Sequence, residues 1–375
     1  MKRYLIVIAV HLFGVSLASA QNLSFDEGWE LSGTDTKVET YLGRQALRLR
    51  SGRAIRRDVN FRDGTIEFDI ATTGDRSFIY VQFRMEEDGE HEEIYFRPHK
   101  SALPDAIQYT PAMKGESNWQ LFHGEGATAP ADFPRNEWIH IKLVVRGSKA
   151  AVFVGDVTKP QLVVPHLARA AASGYVAVRS FLATEMPEGS YPTSYSNVVI
   201  RPDVADFDFP ETAVEAAEPK GMVPEWSISE PFTTPEGPVV TLPPLERETW
   251  RKVVTEPSGL LLLFRYVARP ESGRRATVYA RLTLTSSRAQ RVPLELGYSD
   301  EVTVFLRGEP LFYADDSYSF DRPRRQGLIG LDQATVFLPL KPGANDLVLA
   351  VTDVFGGWGL MGKLDASDVK ASSPE

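Results

Sequence analysis

Trp138-Ile139-His140-Ile141-Lys142-Leu143 alternates apolar and polar side chains with a period of two. Successive side chains of an extended strand point to opposite faces, so Ile139, Ile141 and Leu143 are expected to face a core. The same alternation, or a run of β-branched and aromatic residues, recurs at Ala46–Arg50, Thr65–Ala71, Phe78–Arg84, Ala150–Val154, Tyr175–Arg179 and Asn197–Arg201. Such segments fit half-buried sheet faces. Turn signals at Arg62-Asp63-Gly64, Gly147-Ser148 and Ser173-Gly174 separate them. Only Leu167–Ala172 reads as briefly helical. This many antiparallel strands in ~180 residues predicts a β-sandwich over residues 21–202.

Working outward, residues 203–225 read as a linker. Between Asp203 and Glu218 every charged residue is acidic, with Pro210 and Pro219 among alanines. A same-sign run broken by prolines repels itself and extends, so a domain boundary is expected there. Residues 226–375 form a second strand-rich unit, clearest at Leu260–Val267, Thr277–Thr285, Val292–Leu296, Val302–Leu306, Thr335–Leu340 and Asp346–Val351. Arg307-Gly308-Glu309-Pro310 and Lys341-Pro342-Gly343-Ala344-Asn345 read as hairpin turns. The expected fold is all-β: two β-sandwich (jelly-roll) domains in series, joined by an acidic, Pro-containing linker.

Residues 1–20 read as a signal peptide. Lys2 and Arg3 precede an apolar run from Tyr4 to Leu17, and Ala18-Ser19-Ala20 supplies an A-x-A cleavage site. The run is short for a membrane-spanning helix of ~20 residues. A mature chain beginning at Gln21 is expected to be exported, to the periplasm or exterior of a Gram-negative bacterium. The chain has no cysteine, which excludes thiol nucleophiles, Cys-based zinc sites and iron–sulfur clusters, and an exported protein without disulfides relies on its packed cores. The formal charge is −9, and loss of Lys2 and Arg3 takes it to −11. That balance argues against nucleic acid or an anionic membrane as partner.

Thr65-Ile66-Glu67-Phe68-Asp69-Ile70, the strand Phe78–Arg84, Asn136-Glu137-Trp138 and the later Ser194-Tyr195-Ser196-Asn197 together resemble the concanavalin A-like lectin/glucanase superfamily. The resemblance covers most of residues 22–202 and implies a two-sheet jelly roll with a carbohydrate-compatible concave face. It does not imply catalysis, because lectins, binding modules and hydrolases share the fold. Retaining glucanases of the superfamily carry E-x-D-x-x-E on one strand, and retention needs two carboxyls ~5–5.5 Å apart. Here Glu67-x-Asp69 matches the first half, but Thr72 stands where the second Glu belongs. Glu67 and Asp69 therefore read as an ordinary polar strand face.

In the second unit, Asp300–Pro310, Leu340–Leu349 and Gly356-Gly357-Trp358-Gly359 resemble galactose-binding-like jelly rolls, including those attached to family 2 glycosidases. Those modules usually place Asn-Gly at the turn where this chain has Arg307-Gly308. The glycines around Trp358 fit either an exposed ring or one packed across the sheet end.

The stretch from Tyr95 to Gly124 is the richest in side chains suited to recognition. Arg97, His99, Asp105, Gln108, Tyr109, Asn118, Trp119, Gln120 and His123 gather in what reads as one long irregular excursion. Long loops in compact domains are usually functional. Flat aromatic faces beside hydrogen-bonding groups suit sugar rings. Tyr109 and Trp119 are expected as stacking platforms for an oligosaccharide or polysaccharide, and Arg97, His99, Asp105 and His123 as polar contacts. Trp358 is a secondary candidate.

Other chemistries find less support. His91, His99, His123 and His140 lie in one region, but without H-x-H or H-E-x-x-H spacing. His140 is expected to be solvated on an outward strand position. Asp315-Asp316-Ser317-Tyr318-Ser319-Phe320-Asp321 carries oxygen ligands compatible with a structural Ca²⁺ but lacks the EF-hand glycine and terminal Glu. No nucleophile elbow, P-loop or dinucleotide-binding pattern is present, so no catalytic residue is assigned. The sequence thus predicts an exported carbohydrate-binding protein. Its rivals are a glycoside hydrolase with an unrecognised carboxylate arrangement and a non-catalytic interaction scaffold.

Overall fold

The computed structural model describes residues 21–23, 25, 27–86, 89–183, 185–210, 220–270, 275–319 and 326–374. The signal-peptide reading, residues 211–219 of the acidic linker and Phe320 and Asp321 of the calcium reading lie outside the described residues. The protein is all-β, as its alternation patterns require.

In the first half one continuous antiparallel sheet curls into two layers. The long strand Arg44–Phe61 belongs to both. Its start, Leu47–Leu49, pairs with Thr193–Pro202, and from Gly52 onward it pairs with Gly174–Leu182. On one side the sheet continues through Gly64–Thr72, Ile139–Arg146, Lys149–Val154 and Leu162–Val164. On the other it continues from Gly174–Leu182 through Ser77–Met85, His91–Phe96 and Ile107–Met113. Alternate residues of both layers meet in one core that includes Ile66, Phe68, Ile70, Ile141 and Leu143 from the first and Ile79, Val81, Phe83, Ile94 and Val178 from the second. Ile139, Ile141 and Leu143 are buried, as expected of the period-two pattern.

The second half packs a sheet built on Ala276–Ser286 and Gly343–Asp353 against a four-stranded sheet of Leu260–Leu262, Gly359–Leu364, Gln290–Ser299 and Ala334–Leu340. Arg307 and Gly308 close a two-residue hairpin between Leu306 and Glu309, and both take positive φ, 53° and 83°. Positive φ at both central residues is what a type I′ turn demands, with Arg standing in place of the usual Asn.

Three expectations are corrected. Leu167–Ala172 is not helical. Its backbone is engaged by side chains instead: the Ala168 N–H donates to Tyr109 Oη at 2.7 Å, and the Arg169 N–H donates to Glu92 Oε1 at 3.0 Å. Lys341–Asn345 is not a hairpin, since its flanking strands lie in different sheets. The Asn345 side chain fixes this crossover, accepting from Lys341 N at 2.9 Å and donating to the carbonyls of Lys341 and Gly343. Tyr95–Gly124 is not one loop. It contains the end of one strand, a short 3₁₀ turn at Pro98–Lys100 and the whole strand Ile107–Met113.

Candidate functional site

The Tyr95–Gly124 residues separate into two environments. Along Ile107–Met113, Ile107 and Tyr109 turn into the core and Gln108 turns outward. Tyr109 is only 1% exposed, and its hydroxyl donates to Glu92 Oε2 at 2.8 Å. Its ring meets Phe122 edge-on, so it offers no face to a ligand and is a core residue rather than a platform. Trp358 is likewise fully buried, donating from Nε1 to the Val351 carbonyl at 3.1 Å and packing edge-on against Phe264.

The tip of the segment docks into the second half. Gln120 is fully buried, donating from Nε2 to Asp300 Oδ1 and to the Gln326 carbonyl, both at 3.0 Å, and accepting from Ser299 Oγ at 3.1 Å. Leu121 joins the second core. A Cβ on Gly359 would lie 2.8 Å from Leu121 Cδ2, so that glycine makes room for the docked side chain. His123 Nε2 lies 2.6 Å from the Ile329 carbonyl. Trp119 meets Tyr318 and Phe355 edge-on, at centroid distances of 5.7 and 6.2 Å. The Trp119 ring and His123 are therefore brought to a contact between the two halves, while the Trp119 carbonyl is linked to Arg97 through the Gln108 side chain.

Arg97 belongs to the second environment, the outer face of the second layer. Strand register aligns one cross-strand row: Arg53 opposite Arg179, Arg179 opposite Tyr80, Tyr80 opposite Tyr95, and Tyr95 opposite Gln108. The next row places Gln82 opposite Glu93 and Glu93 opposite Thr110. Directly paired side chains on one face sit ~4.5–5.5 Å apart at Cβ, so the rows form a continuous surface. The Arg179 guanidinium lies 4.9 Å from the Tyr80 ring centre and that of Arg97 5.0 Å from the Tyr95 ring centre. Tyr80 and Tyr95 are tilted neighbours at 5.4 Å. Phe78 stands at the rim, 5.3 Å from the His99 ring.

Hydrogen bonds lock this surface. Tyr95 Oη donates to Gln108 Oε1 at 2.5 Å, and Arg97 Nη2 donates to the same oxygen at 2.8 Å. Gln108 Nε2 donates to the Trp119 carbonyl at 2.7 Å. Gln82 Nε2 donates to Glu93 Oε2 at 2.8 Å, and His91 Nε2 lies 3.2 Å from the same oxygen. Glu93 is 2% exposed. Burial raises its pKa, but contacts with His91, Gln82 and Arg179 outweigh that and hold it below the usual carboxylate range. Burial pushes the Tyr80 and Tyr95 hydroxyls well up, so both stay protonated. Asp105 bridges Arg97, at 3.2 Å, and Lys100. Burial, with Arg76, Arg97 and Lys100 nearby, pushes His99 down to about 4, leaving it neutral at pH 7.

A second polar cluster lies on the outer face of the first layer. His140, expected to be merely solvated, bridges the two acids of the Glu67-x-Asp69 pair. Nδ1 lies 2.7 Å from Asp69 Oδ1 and Nε2 3.5 Å from Glu67 Oε2. Arg44 and Asn197 also hold Asp69, and Arg201 holds Glu67. Both carboxylates are thus committed to cations. Among the described residues no group of three His, Cys, Asp or Glu side chains is arranged to hold a metal ion. Asp315 accepts from Ser317, and Asp316 from Gln333 Nε2 at 3.0 Å.

The sequence reading missed Tyr80, Gln82, Glu93 and Arg179. Their signal is the period-two spacing of Phe78-x-Tyr80-x-Gln82 and His91-x-Glu93-x-Tyr95-x-Arg97. Each strand alone looks like an ordinary solvated face, and only the register brings them into rows.

No family model and no curated protein matches the chain. Among solved structures, it is similar to the carbohydrate binding module CBM66 from Bacillus subtilis, at 14% identity over 46% of this chain and 93% of that one, with a TM-score of 0.33. It is also similar to the Bacillus licheniformis beta-glucanase, at 13% identity over 50% of this chain and 99% of that one, with a TM-score of 0.34. A third is the Crh5 transglycosylase, at 14% identity over 50% of this chain and 82% of that one, with a TM-score of 0.34.

Proposed function

We propose that this is an exported carbohydrate-binding protein whose glycan site is the outer face of the second layer, with the half-buried Tyr80 at its centre, packed on the buried Tyr95. The carrying observation is the cross-strand row Arg179–Tyr80–Tyr95–Gln108, backed by the buried Gln82–His91–Glu93 network. A sheet face with no ligand is normally solvated and mobile in its side chains. This one is rigid, held by strands and by hydrogen bonds among its own members, which is the preorganisation that recognition requires. The half-buried Tyr80 offers apolar area to a sugar C–H face, and the half-buried Arg53 and Arg179 guanidinium groups offer donors to sugar hydroxyls, while the buried Tyr95, Gln82 and Gln108 brace the row. The Arg97 guanidinium over the Tyr95 ring and its hydrogen bond to Gln108 join Arg97 to the row, with Asp105 as its support.

Titration calorimetry against a set of oligosaccharides tests the proposal. Tyr80→Ala is expected to weaken the best binder roughly 5- to 150-fold, the equivalent of about 1–3 kcal/mol for a central contact. Unchanged affinity in Tyr80→Ala and in Tyr95→Ala would exclude this face.

A hydrolase reading has one observation in its favour, the buried, ionised Glu93 beside His91. Release of new reducing ends from a bound oligosaccharide, lost in Glu93→Gln, would establish it.

A further inference from the structure

Arg53 and Arg179 occupy directly opposed positions in the antiparallel register. Both are half-buried. Like charges directly opposite on a sheet face destabilise it. The strain shows on Arg53, whose pKa is lowered first by burial and then by the neighbouring Arg179. Elsewhere in the first half, arginines are matched to acids: Arg44 with Asp69, Arg84 with Asp63, Arg97 with Asp105, Arg201 with Glu67. Among the described residues no carboxylate pairs directly with Arg53 or Arg179. The acid whose charge acts on Arg53 is Glu93 in the adjoining row, which also acts on Arg179 but is hydrogen-bonded to Gln82 and lies beside His91. Arg179 instead rests on the Tyr80 ring, which leaves its planar edge unspent.

We infer that Arg53 and Arg179 form an anion-recognition pair at one end of the row, and that the glycan this face takes carries a carboxylate, as a uronic acid does. This rests on the proposed glycan site and names the chemistry of its ligand. A guanidinium matches a carboxylate through two parallel hydrogen bonds, and a planar carboxylate between two forks would neutralise the repulsion while its sugar ring lies against Tyr80. The arrangement favours a carboxylate on the sugar next to the stacked ring over a neutral glycan, because a neutral ring leaves both cations unmatched. Sulfate offers the same charge, and the test separates the two.

The test is calorimetric titration of the full chain with a panel of uronic-acid oligosaccharides, each paired with its carboxyl-reduced neutral counterpart, and with sulfated neutral oligosaccharides. The expected result is a uronate bound at least tenfold more tightly than its reduced counterpart, by a margin that shrinks as salt rises. Arg53→Gln should remove most of that margin and leave the neutral sugar within about twofold, whereas Arg179→Gln should remove the margin and also weaken the neutral sugar, because Arg179 packs on the Tyr80 ring. Arg53→Gln should not lower the melting temperature, since it relieves a like-charge contact. Arg179→Lys keeps the charge without the fork and should retain part of the margin. Equal affinity for a uronate and its reduced form, or tighter binding of a sulfated sugar, would overturn the carboxylate assignment and leave the glycan site standing. Absence of binding to every member, neutral ones included, would instead overturn the glycan site itself, and this inference with it.

Discussion

Gln120 and Asp300, one from each half of the chain, meet in a fully buried hydrogen bond of 3.0 Å. Asp300 is otherwise held by the backbone N–H groups of Val354 and Phe355, both 2.8 Å from Oδ2. Among the described residues no cation is one of its hydrogen-bond partners. Burial therefore dominates, and its pKa is raised from the model-compound value of 3.8 to about 6.

A pH dependence follows from that shift. Between pH 4 and pH 6 the folded protein keeps a proton on Asp300 that the unfolded chain has already lost. The folded state binds more protons in this window, so stability falls as pH rises through it, and the loss is complete above the folded pKa. A shift of about two units corresponds to about 3 kcal/mol. Urea unfolding of the parent protein and of Asp300→Asn, compared from pH 4 to pH 7, should show the parent losing ground to the variant by about that amount. A constant difference across the range would contradict the assignment.

Tyr109 and Tyr95 lie on directly paired strands, Tyr109 turned into the core and Tyr95 onto the other face of the layer, although both lie in the stretch that reads as a recognition loop. Tyr109→Phe should lower stability by about 1–3 kcal/mol, because it strips a partner from the buried Glu92 carboxylate and from the Ala168 N–H. It should leave glycan affinity unchanged. A thermal melt and a calorimetric titration on the same variant check both halves of the statement.

The contrast shows where sequence reading works. Core positions such as Ile139, Ile141 and Leu143 follow from period two alone, because burial on one face is a local property of a strand. Tyr109 misleads because Pro111 and the polar Gln108 and Thr110 disguise Ile107–Met113 as irregular chain. Trp119, Gln120 and His123 hide their partners for a different reason. Their polar and aromatic character is spent on Asp300, Tyr318 and Ile329, partners that no local pattern can announce. The Arg53–Arg179–Tyr80–Tyr95 row is hidden for the same reason, since it exists only through pairing of four strands.

On the opposite layer, His140 should titrate above its ordinary value. The hydrogen bond it donates to Asp69 raises its pKa, and burial only partly opposes this. Asp69 is held down in return, the contacts with His140 and Asn197 outweighing its burial. The stabilisation from the His140 cation is therefore present below pH 6.5 and lost as pH rises through the raised value. That from Asp69 is present above pH 3.8 and lost as pH falls through the lowered one. Nuclear magnetic resonance titration of the imidazole should give a midpoint above 6.5, and Asp69→Asn should bring it down. A midpoint at or below 6.5 in the parent protein would mean the bridge does not form in solution.

The docked tip also bears on how the two halves behave once the chain between them is cut. The acidic segment reads as a linker, and independent folding of residues 21–202 and 226–375 remains a proposal. What joins them besides the linker is specific: Leu121 in the second core, Gln120 on Asp300 and the Gln326 carbonyl, His123 on Ile329, and Arg265 Nη2 donating to the Ala168 carbonyl at 2.8 Å. A protease site placed between Asp203 and Pro219 should therefore yield two fragments that still elute together in size-exclusion chromatography. Leu121→Asp should separate them, because it puts an unpaired charge into an apolar pocket. Gln120→Ala should weaken the association by about 1–3 kcal/mol, since it leaves Asp300, Ser299 and the Gln326 carbonyl each short of one partner. Fragments that part in the parent protein, or stay together in Leu121→Asp, would show that the docked segment does not hold the halves.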